Sequence, residues 1–228
     1  MTDHALAYFF NAASLAIIIF SLHLCLSRAR HQRFYWPLAG CLLAIAVLIC
    51  QPWLKLLAPA FRPLLLLLAL PALYLLPPCF WLYVQGLTSS SRWQFQPGHY
   101  RHFVLSLLAL LIVIATLLLP ADIRHALLVL GNDQILQSAP VLLRNFVYGL
   151  LIATFVLVMG WALQAGYYIH AVFRALKLYR EQLKQVFAST EAQEGRWINW
   201  ILAAVTGLWL LLAGILFYDN LIAPVHLQ

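Results

Sequence analysis

The most constraining feature of the sequence is a succession of six stretches that contain no Asp, Glu, Lys or Arg. These stretches occupy residues 5–27, 34–54, 63–85, 103–121, 145–173 and 198–218. A bilayer core is about 30 Å thick, and about 20 helical residues cross it. Each stretch is close to or above that length. The sequence therefore predicts an all-α polytopic integral membrane bundle of six transmembrane helices, with residues 1–228 forming one transmembrane domain.

The composition excludes a soluble domain. Hydrophobic residues make up 64% of the chain and charged residues only 9%, whereas soluble chains carry about 25% charged residues. An outer-membrane barrel is excluded as well, because runs such as Leu64–Leu68 lack the alternation of period two that its strands need. The lipid bilayer is thus the first partner that the sequence predicts.

The basic residues are distributed unevenly among the connections between these stretches. Ten of the fourteen Lys and Arg residues follow the first, third or fifth stretch. Basic residues collect in cytoplasmic connections, so these three connections are predicted to be cytoplasmic and the N-terminus to lie outside. The net charge of +7 has the same origin. The sequence predicts no soluble domain that could present a basic surface to the groove of a nucleic acid. We therefore expect no direct binding of nucleic acid by this chain.

A basic extension, residues 174–197, follows the fifth stretch. As far as Phe187, its apolar and basic residues recur with helical spacing, which predicts that the fifth helix projects beyond the lipid. Two roles stay open for it: a solvated helix end beside anionic headgroups, or an arm that transmits helix movement to a cytoplasmic partner. The candidate signal-transmitting residues are Arg174, Lys177, Arg180, Lys184 and Trp197.

Three prolines interrupt the third stretch, namely Pro71, Pro77 and Pro78. Proline has no N–H group, and its ring displaces the carbonyl four residues earlier in a helix. The sequence therefore predicts a kink here, and backbone carbonyls that neighbouring helices or water must satisfy.

Uncharged polar residues are scattered through the six stretches. Most of them should form hydrogen bonds between helices, each worth about 0.6 kcal/mol. Some are placed to line a small cavity in the outer half of the bundle, beside the proline-rich stretch. The candidate ligand-sensing residues are those nearest the outer ends of their helices: Asn11, Gln51, Asn145 and Tyr148.

The sequence carries no signature of catalysis, a metal site or a cofactor. GxSxG, HExxH and glycine-rich phosphate motifs are absent. His99 and His102 are three residues apart but have no acidic partner at metal-ligand spacing, which favours interfacial polar residues. His23 and His170 would suit bis-imidazole haem ligation, but no second pair is evident, so hydrogen-bonded histidines are favoured. We therefore predict a non-enzymatic protein without a cofactor.

Three segments together carry a resemblance to a known family. They are PPCFWLYVQGLT at Pro77–Thr88, FQPGHYRHFV at Phe95–Val104 and YREQLKQVFASTEAQEGRWINWIL at Tyr179–Leu202. Their order and spacing resemble the seven-helix N-terminal membrane half of membrane-bound AraC-type transcriptional regulators of Gram-negative bacteria. The resemblance covers roughly the last two-thirds of the chain.

The resemblance implies a signal-sensing module in the bacterial inner membrane, multi-pass and with a periplasmic N-terminus. Members of that family continue through a seventh helix into a cytoplasmic helix-turn-helix module, and this sequence ends at Gln228. The output module is therefore expected either in cis beyond Gln228 or in trans. Related membrane halves also carry LytTR-type or kinase outputs, so the type of output stays open.

Two other functions remain open at this point. One is a small integral membrane subunit of a transport or assembly complex, and the other is an intramembrane redox protein. Ala203 and Gly207 form a small-xxx-small pair that would allow a homodimer, although ordinary close packing explains the pair equally well.

We expect substitution of the four candidate ligand-sensing residues to alter the response to the signal without loss of membrane insertion. Alanine variants of each would be compared in a signal-response assay, with insertion followed by membrane fractionation. An unchanged response in all four variants would remove the hypothesis.

Overall fold

A computed structural model describes residues 2–58, 61–89, 93–130 and 134–186. In the sixth apolar stretch, 198–218, it describes residues 200, 203, 206, 207, 209–211, 213–215 and 218. Every regular element in this described part of the chain is helical. The predicted all-α class is thereby confirmed.

Seven α-helices are described, with short irregular helices between them. They are α1 (Thr2–Ala29), α2 (Tyr35–Ile49), α3 (Gln51–Leu57), α4 (Arg62–Thr88), α5 (Val104–Leu117), α6 (Ala121–His125) and α7 (Val141–Val186). A 3-10 helix at Pro97–Phe103 leads into α5, and a π-helix at Ala126–Leu130 and a 3-10 helix at Gln134–Gln137 lie between α6 and α7.

Five helical segments are long and apolar enough to cross a membrane. They are Tyr8–Ala29, Tyr35–Trp53, Pro63–Thr88, Pro97–Leu117 and Val141–Tyr179. These five correspond to the first five stretches predicted from the sequence and are compatible with a multi-pass membrane protein. The sixth, 198–218, is described only at separate positions that form no continuous segment, so six crossings stay a prediction.

The proline-rich helix α4 lies at the centre of the bundle. It packs against α2, α3, α5 and α7, while α1 packs against α2. The main buried cluster joins α4, α5 and α7, and Trp209 and Ala213 of the last stretch pack against it. Its buried members are Tyr74, Ala109, Trp161, Ala162 and Ala165.

Helices α4 and α7 run parallel to each other. Tyr74 packs with Trp161 in the main cluster, and Val84 packs with Val172 further along both helices. The C-terminal ends of the two helices therefore lie at the same end of the bundle. A second cluster, of Leu119, Ile123, Leu136 and Val147, closes the other end beneath the α6 turn.

The outer surface of the bundle is apolar. Leu107 and Leu111 on α5 are 57% and 56% exposed, and Phe9 on α1 is 67% exposed. Contiguous apolar surface of this kind is unusual on a soluble monomer and typical of surfaces that contact protein or membrane. The surface is thus compatible with insertion in lipid.

One end of the bundle, which we call the basic end, collects most of the described cations. Arg28 donates to the Tyr35 hydroxyl at 3.4 Å, which joins the α1–α2 connection to this end. Tyr35 lies 6.3 Å from Tyr83 of α4, ring centre to ring centre. The basic end comprises Arg28, Arg30, Arg33, Arg101, Arg174 and Lys177. The connections that the sequence assigns to the cytoplasm therefore lie at the same end of the bundle. The side of the membrane on which this basic end lies stays a prediction.

A glycine permits the closest approach of α4 to the α1–α2 connection. A Cβ atom on Gly86 would lie 2.3 Å from the Phe34 Cβ, well inside contact distance. Among the described residues, nothing beyond the neighbouring backbone of its own helix lies within 4 Å of such a Cβ atom on Gly149 of α7. Of these two glycines, packing therefore requires only Gly86.

We expect Gly86→Ala to lower the free energy of unfolding by about 1–3 kcal/mol, because the new methyl group overpacks the contact with Phe34. Gly149→Ala is the matched control, and its free energy of unfolding should stay the same or rise by up to about 1 kcal/mol. Denaturant titration of both variants in detergent measures the difference. Equal stability of the two variants would contradict the observed approach of α4 to Phe34.

Candidate functional site at the junction of three helices

Two adjacent prolines create an unmet hydrogen-bonding requirement in the middle of α4. Pro77 and Pro78 have no N–H groups, so the carbonyls of Leu73 and Tyr74, four residues earlier, lose their usual helical donors. Tyr74 is 1% exposed, so bulk water does not reach its side chain. Donors for these carbonyls must come from other helices.

Helix α7 supplies those donors. Trp161 donates its indole N–H to the Leu73 carbonyl at 3.0 Å, and Gln164 donates its amide to the Tyr74 carbonyl at 3.5 Å. In return, the Tyr74 hydroxyl donates to the Leu157 carbonyl of α7. Residues 157, 161 and 164 share one helix face by their spacing. We call these three hydrogen bonds the proline network.

A second contact among three elements lies about two helical turns further toward the basic end. His102, at the end of the 3-10 helix before α5, places its Nδ1 atom 2.7 Å from the hydroxyl of Tyr168 on α7. The His102 ring lies 4.7 Å from the Trp81 ring of α4, and Trp81 lies 6.0 Å from the Tyr168 ring. We call these three residues the aromatic junction.

Two hydrogen bonds between Gln96 and His99 fix the 3-10 helix that carries His102. The His99 backbone N–H donates to the Gln96 carbonyl at 2.9 Å, and the Gln96 backbone N–H donates to His99 Nδ1 at 3.1 Å. Trp93 stacks on the His99 ring at 5.7 Å, and His99 is only 9% exposed. The segment is thus held rigidly where it reaches α7.

The four candidate ligand-sensing residues fall into two pairs. The Asn11 amide donates to the Ile49 carbonyl at 3.1 Å, and the Gln51 amide donates to the Leu65 carbonyl at 2.7 Å. Both are bonds between helices, of the kind predicted for most polar residues. Asn145 and Tyr148 are instead exposed near the start of α7. A common ligand site for all four stays a prediction.

The candidate signal-transmitting residues lie on α7 as far as the helix is described. Arg174 and Lys177 are exposed, and Arg180 and Lys184 follow on the same helix. Trp197 lies outside the described residues. The predicted helical course of the extension is thus confirmed up to Val186.

The three prolines lie inside α4, and the helix continues through all of them. The predicted requirement for outside donors is confirmed at two of the three freed carbonyls, those of Leu73 and Tyr74. The residues that meet it, Trp161 and Gln164, were not singled out by the sequence as their partners. The proline pair signals that donors are needed, but several polar residues of the fifth stretch could have supplied them.

Within the described residues, no group of three or more His, Cys, Asp or Glu side chains is placed to hold a metal ion. His23 on α1 and His170 on α7 are both exposed. Cys25, Cys41 and Cys79 are buried free thiols.

Comparison of the chain with protein-family models, with curated proteins and with solved structures gave no match. The resemblance to the AraC-type membrane half therefore rests on the three sequence segments alone.

We expect Trp161→Phe to lower the free energy of unfolding by about 1–3 kcal/mol, because it leaves the Leu73 carbonyl buried and unpaired. In a Pro77→Ala background, the restored N–H at position 77 can pair with that carbonyl, so the same substitution should cost about 1 kcal/mol less. The free energy of unfolding in detergent is measured for the wild type, for Trp161→Phe, for Pro77→Ala and for the double variant. Together the four values give the coupling between the two positions.

Two controls isolate the hydrogen bond from the loss of ring volume. Trp209→Phe removes an indole N–H that has no partner among the described residues and packs against the same cluster. Pro71→Ala restores an N–H group that cannot reach the Leu73 carbonyl. It should therefore leave the loss of unfolding free energy caused by Trp161→Phe unchanged. A cost that is the same in all three backgrounds, wild type, Pro77→Ala and Pro71→Ala, would refute the proline network.

Proposed function

We propose that the chain is a non-enzymatic signal-sensing module of the bacterial inner membrane that passes its signal to a cytoplasmic helix-turn-helix output. The observation that carries this proposal is the length of α7, which runs for 46 residues without a break. At about 1.5 Å per residue the helix is about 69 Å long, more than twice the thickness of a bilayer core. A single rigid element thus connects the core of the bundle with the space beyond the lipid.

Hydrogen bonds and ring contacts hold α7 against the other helices of the bundle, so movement of those helices would be transmitted to α7. The proline network joins α7 to α4, and the aromatic junction joins it to α4 and to the segment before α5. Shifts of about 1–2 Å between packed helices are a known mode of switching. A rearrangement of α4 or α5 would therefore displace the whole of α7, including its projecting part.

The distribution of charge supports a cytoplasmic position for the projecting part of α7. Arg174 and Lys177 are exposed on it, and the other cations of the basic end lie in the connections predicted to be cytoplasmic. Positive residues favour the cytoplasmic side, which puts the N-terminus in the periplasm. Exposed cations also suit contact with an acidic face of an output module, in cis beyond Gln228 or in trans.

The test is complementation of a deletion strain, read by transcript profiling. Deletion of the coding region should change the transcript levels of a defined set of genes, and the wild-type chain should restore them. Tyr168→Phe should change the restored response about 2- to 10-fold, because loss of the hydrogen bond to His102 shifts a two-state equilibrium by that factor. Tyr167→Phe, on the neighbouring residue, which is 64% exposed, should restore the wild-type response.

Reporter fusions after Lys177 control for insertion and orientation in each variant, and should report the cytoplasm throughout. A periplasmic signal from that fusion would overturn the orientation and the proposed function with it. If deletion leaves all transcripts unchanged but impairs transport or the assembly of a membrane complex, the chain is instead a subunit of that complex.

A further inference from the structure

A cavity of about 380 Å³ lies between α2, α4 and α5. Both α2 and α5 pack against α4, and the cavity separates these two helices. Its surface is almost wholly apolar, with Val47 of α2, Leu75 of α4 and Leu110 of α5 among the lining residues. Leu43 and Leu107 also line it and are more than half exposed. The cavity is therefore open on the apolar outer surface of the bundle, and an occupant that enters from this side meets apolar walls.

The cavity begins next to the basic end and extends toward the middle of the bundle. Phe103, directly before α5, lines the cavity and comes two residues after Arg101. On α2, Leu43 and Val47 lie about 12 and 18 Å from the first residue of the helix, Tyr35. The hydrocarbon of one leaflet is about 15 Å thick, half of the bilayer core. The cavity thus covers the depth of a lipid chain in the leaflet at the basic end.

Two arginines lie where the helices that form the cavity walls begin. Arg33 is the second residue before α2, Arg101 is the third residue before α5, and both side chains are exposed. No ion pair within the described part of the chain engages either guanidinium group. Of the carboxylates whose side chains are described, that of Asp122 lies on α6 at the other end of the bundle and that of Glu181 lies on the projecting part of α7. The positive charge beside the cavity is therefore not compensated by these carboxylates.

Exposed aromatic side chains lie at the same level as the two arginines. Trp36, in the first turn of α2, and Tyr100, next to Arg101, are 58% and 67% exposed. Trp and Tyr collect at membrane–water interfaces, at the level of the lipid headgroups. A lipid whose chain fills the cavity would therefore carry its phosphate at the level of Arg33 and Arg101.

From these observations we infer that the cavity and the two arginines form a binding site for an anionic phospholipid. One acyl chain of the lipid lies in the cavity between α2 and α5, and Arg33 and Arg101 hold its phosphate. Guanidinium groups suit this role because they bind phosphate oxygens through two parallel hydrogen bonds. We call this the lipid site.

The two parts of the lipid site have different roles. Lipid chains are as apolar as the leucine side chains of the walls, so the cavity sets the position of the lipid and gives little preference for one headgroup over another. The arginines select the headgroup, because a zwitterionic lipid brings its own cation to the phosphate and an anionic lipid does not. Each basic residue near the membrane surface contributes a factor of about five in affinity for anionic lipid. Two arginines therefore predict a preference of about 5- to 25-fold.

The test is photolabelling of the full chain in phosphatidylcholine nanodiscs that contain a small fraction of a probe lipid. The two probes are phosphatidylglycerol and phosphatidylcholine with the same mid-chain diazirine. At Val47 and Leu75, in the cavity, mass spectrometry should find about 5- to 25-fold more label from the phosphatidylglycerol probe. At Leu111, which is exposed on α5 and does not line the cavity, the two probes should label equally. The same ratio at the cavity and at Leu111 would overturn the inference and leave the arginines to an acidic partner protein.

Arg33→Gln and Arg101→Gln should each lower the ratio of the two probes in the cavity about fivefold and leave the label at Leu111 unchanged. Arg174→Gln is the matched control, because Arg174 is exposed at the same end but lies on α7, which forms no wall of the cavity. It should change the ratio by less than about twofold. An equal fall in all three variants would show a diffuse attraction of anionic lipid to the whole basic end, and would refute the lipid site.

The position of the chain is tested separately by Ala72→Leu, which narrows the cavity from its α4 wall. This variant should reduce the label at Val47 from both probes. Unreduced label in the folded variant would place the chain outside the cavity and contradict the inference. If Ala72→Leu fails to fold, the two arginine variants still decide the matter, because both positions are exposed.

A soluble phosphate is distinguished from a lipid by competition. Glycerol 1-phosphate carries the phosphate of the headgroup without the acyl chains. An excess of it, at matched ionic strength, should leave the label at Val47 unchanged, whereas unlabelled phosphatidylglycerol should compete. If glycerol 1-phosphate competes as well as the lipid does, the arginines bind a small phosphate compound and the inferred lipid is wrong.

The lipid site does not rest on the proposed sensing function. The labelling uses purified protein without any output module, so a failure here overturns the site and leaves the sensing function standing. Selective labelling together with unchanged transcripts on deletion would retain the site and remove the sensing function.

Discussion

The bundle depends on two backbone carbonyls that cannot be satisfied within their own helix. Pro77 and Pro78 deprive Leu73 and Tyr74 of their donors, in a helix surrounded by others. A bond between helices in a membrane contributes only about 0.6 kcal/mol, but a buried polar group without a partner costs about 1–3 kcal/mol. The penalty for leaving the carbonyls unpaired therefore weighs more than the gain from the bonds, and it fixes the register of α7 against α4.

This fixed register explains how the remaining features relate to one another. Because α4 and α7 are parallel, the aromatic junction lies further along the same pair of helices, toward the basic end. The cavity lies on the opposite side of α4, between α2, α4 and α5, and Pro71 is one of its lining residues. The three prolines thus act on two faces of α4: two join it to α7, and one borders this cavity.

Much of the architecture was predictable because helix length and charge are properties of the local sequence. The first five apolar stretches coincide with helical segments able to cross a membrane, and the basic extension is helical as far as Val186. The second stretch is an exception in detail: α2 ends at Ile49 and α3 begins at Gln51. Pro52 has no N–H for the Leu48 carbonyl and favours the first turn of a new helix, so it marks this break.

The sequence by itself determined the helical class, the approximate spans, the sharing of charge between connections and the need for outside donors at the proline pair. Only the tertiary structure decided that Trp161 rather than Trp209 meets Leu73 and that His102 meets Tyr168. The reason is physical. Where a helix is apolar on all faces, outward-facing and buried positions look alike in the sequence. Local sequence therefore fixes what each helix requires, and three-dimensional packing fixes which neighbour supplies it.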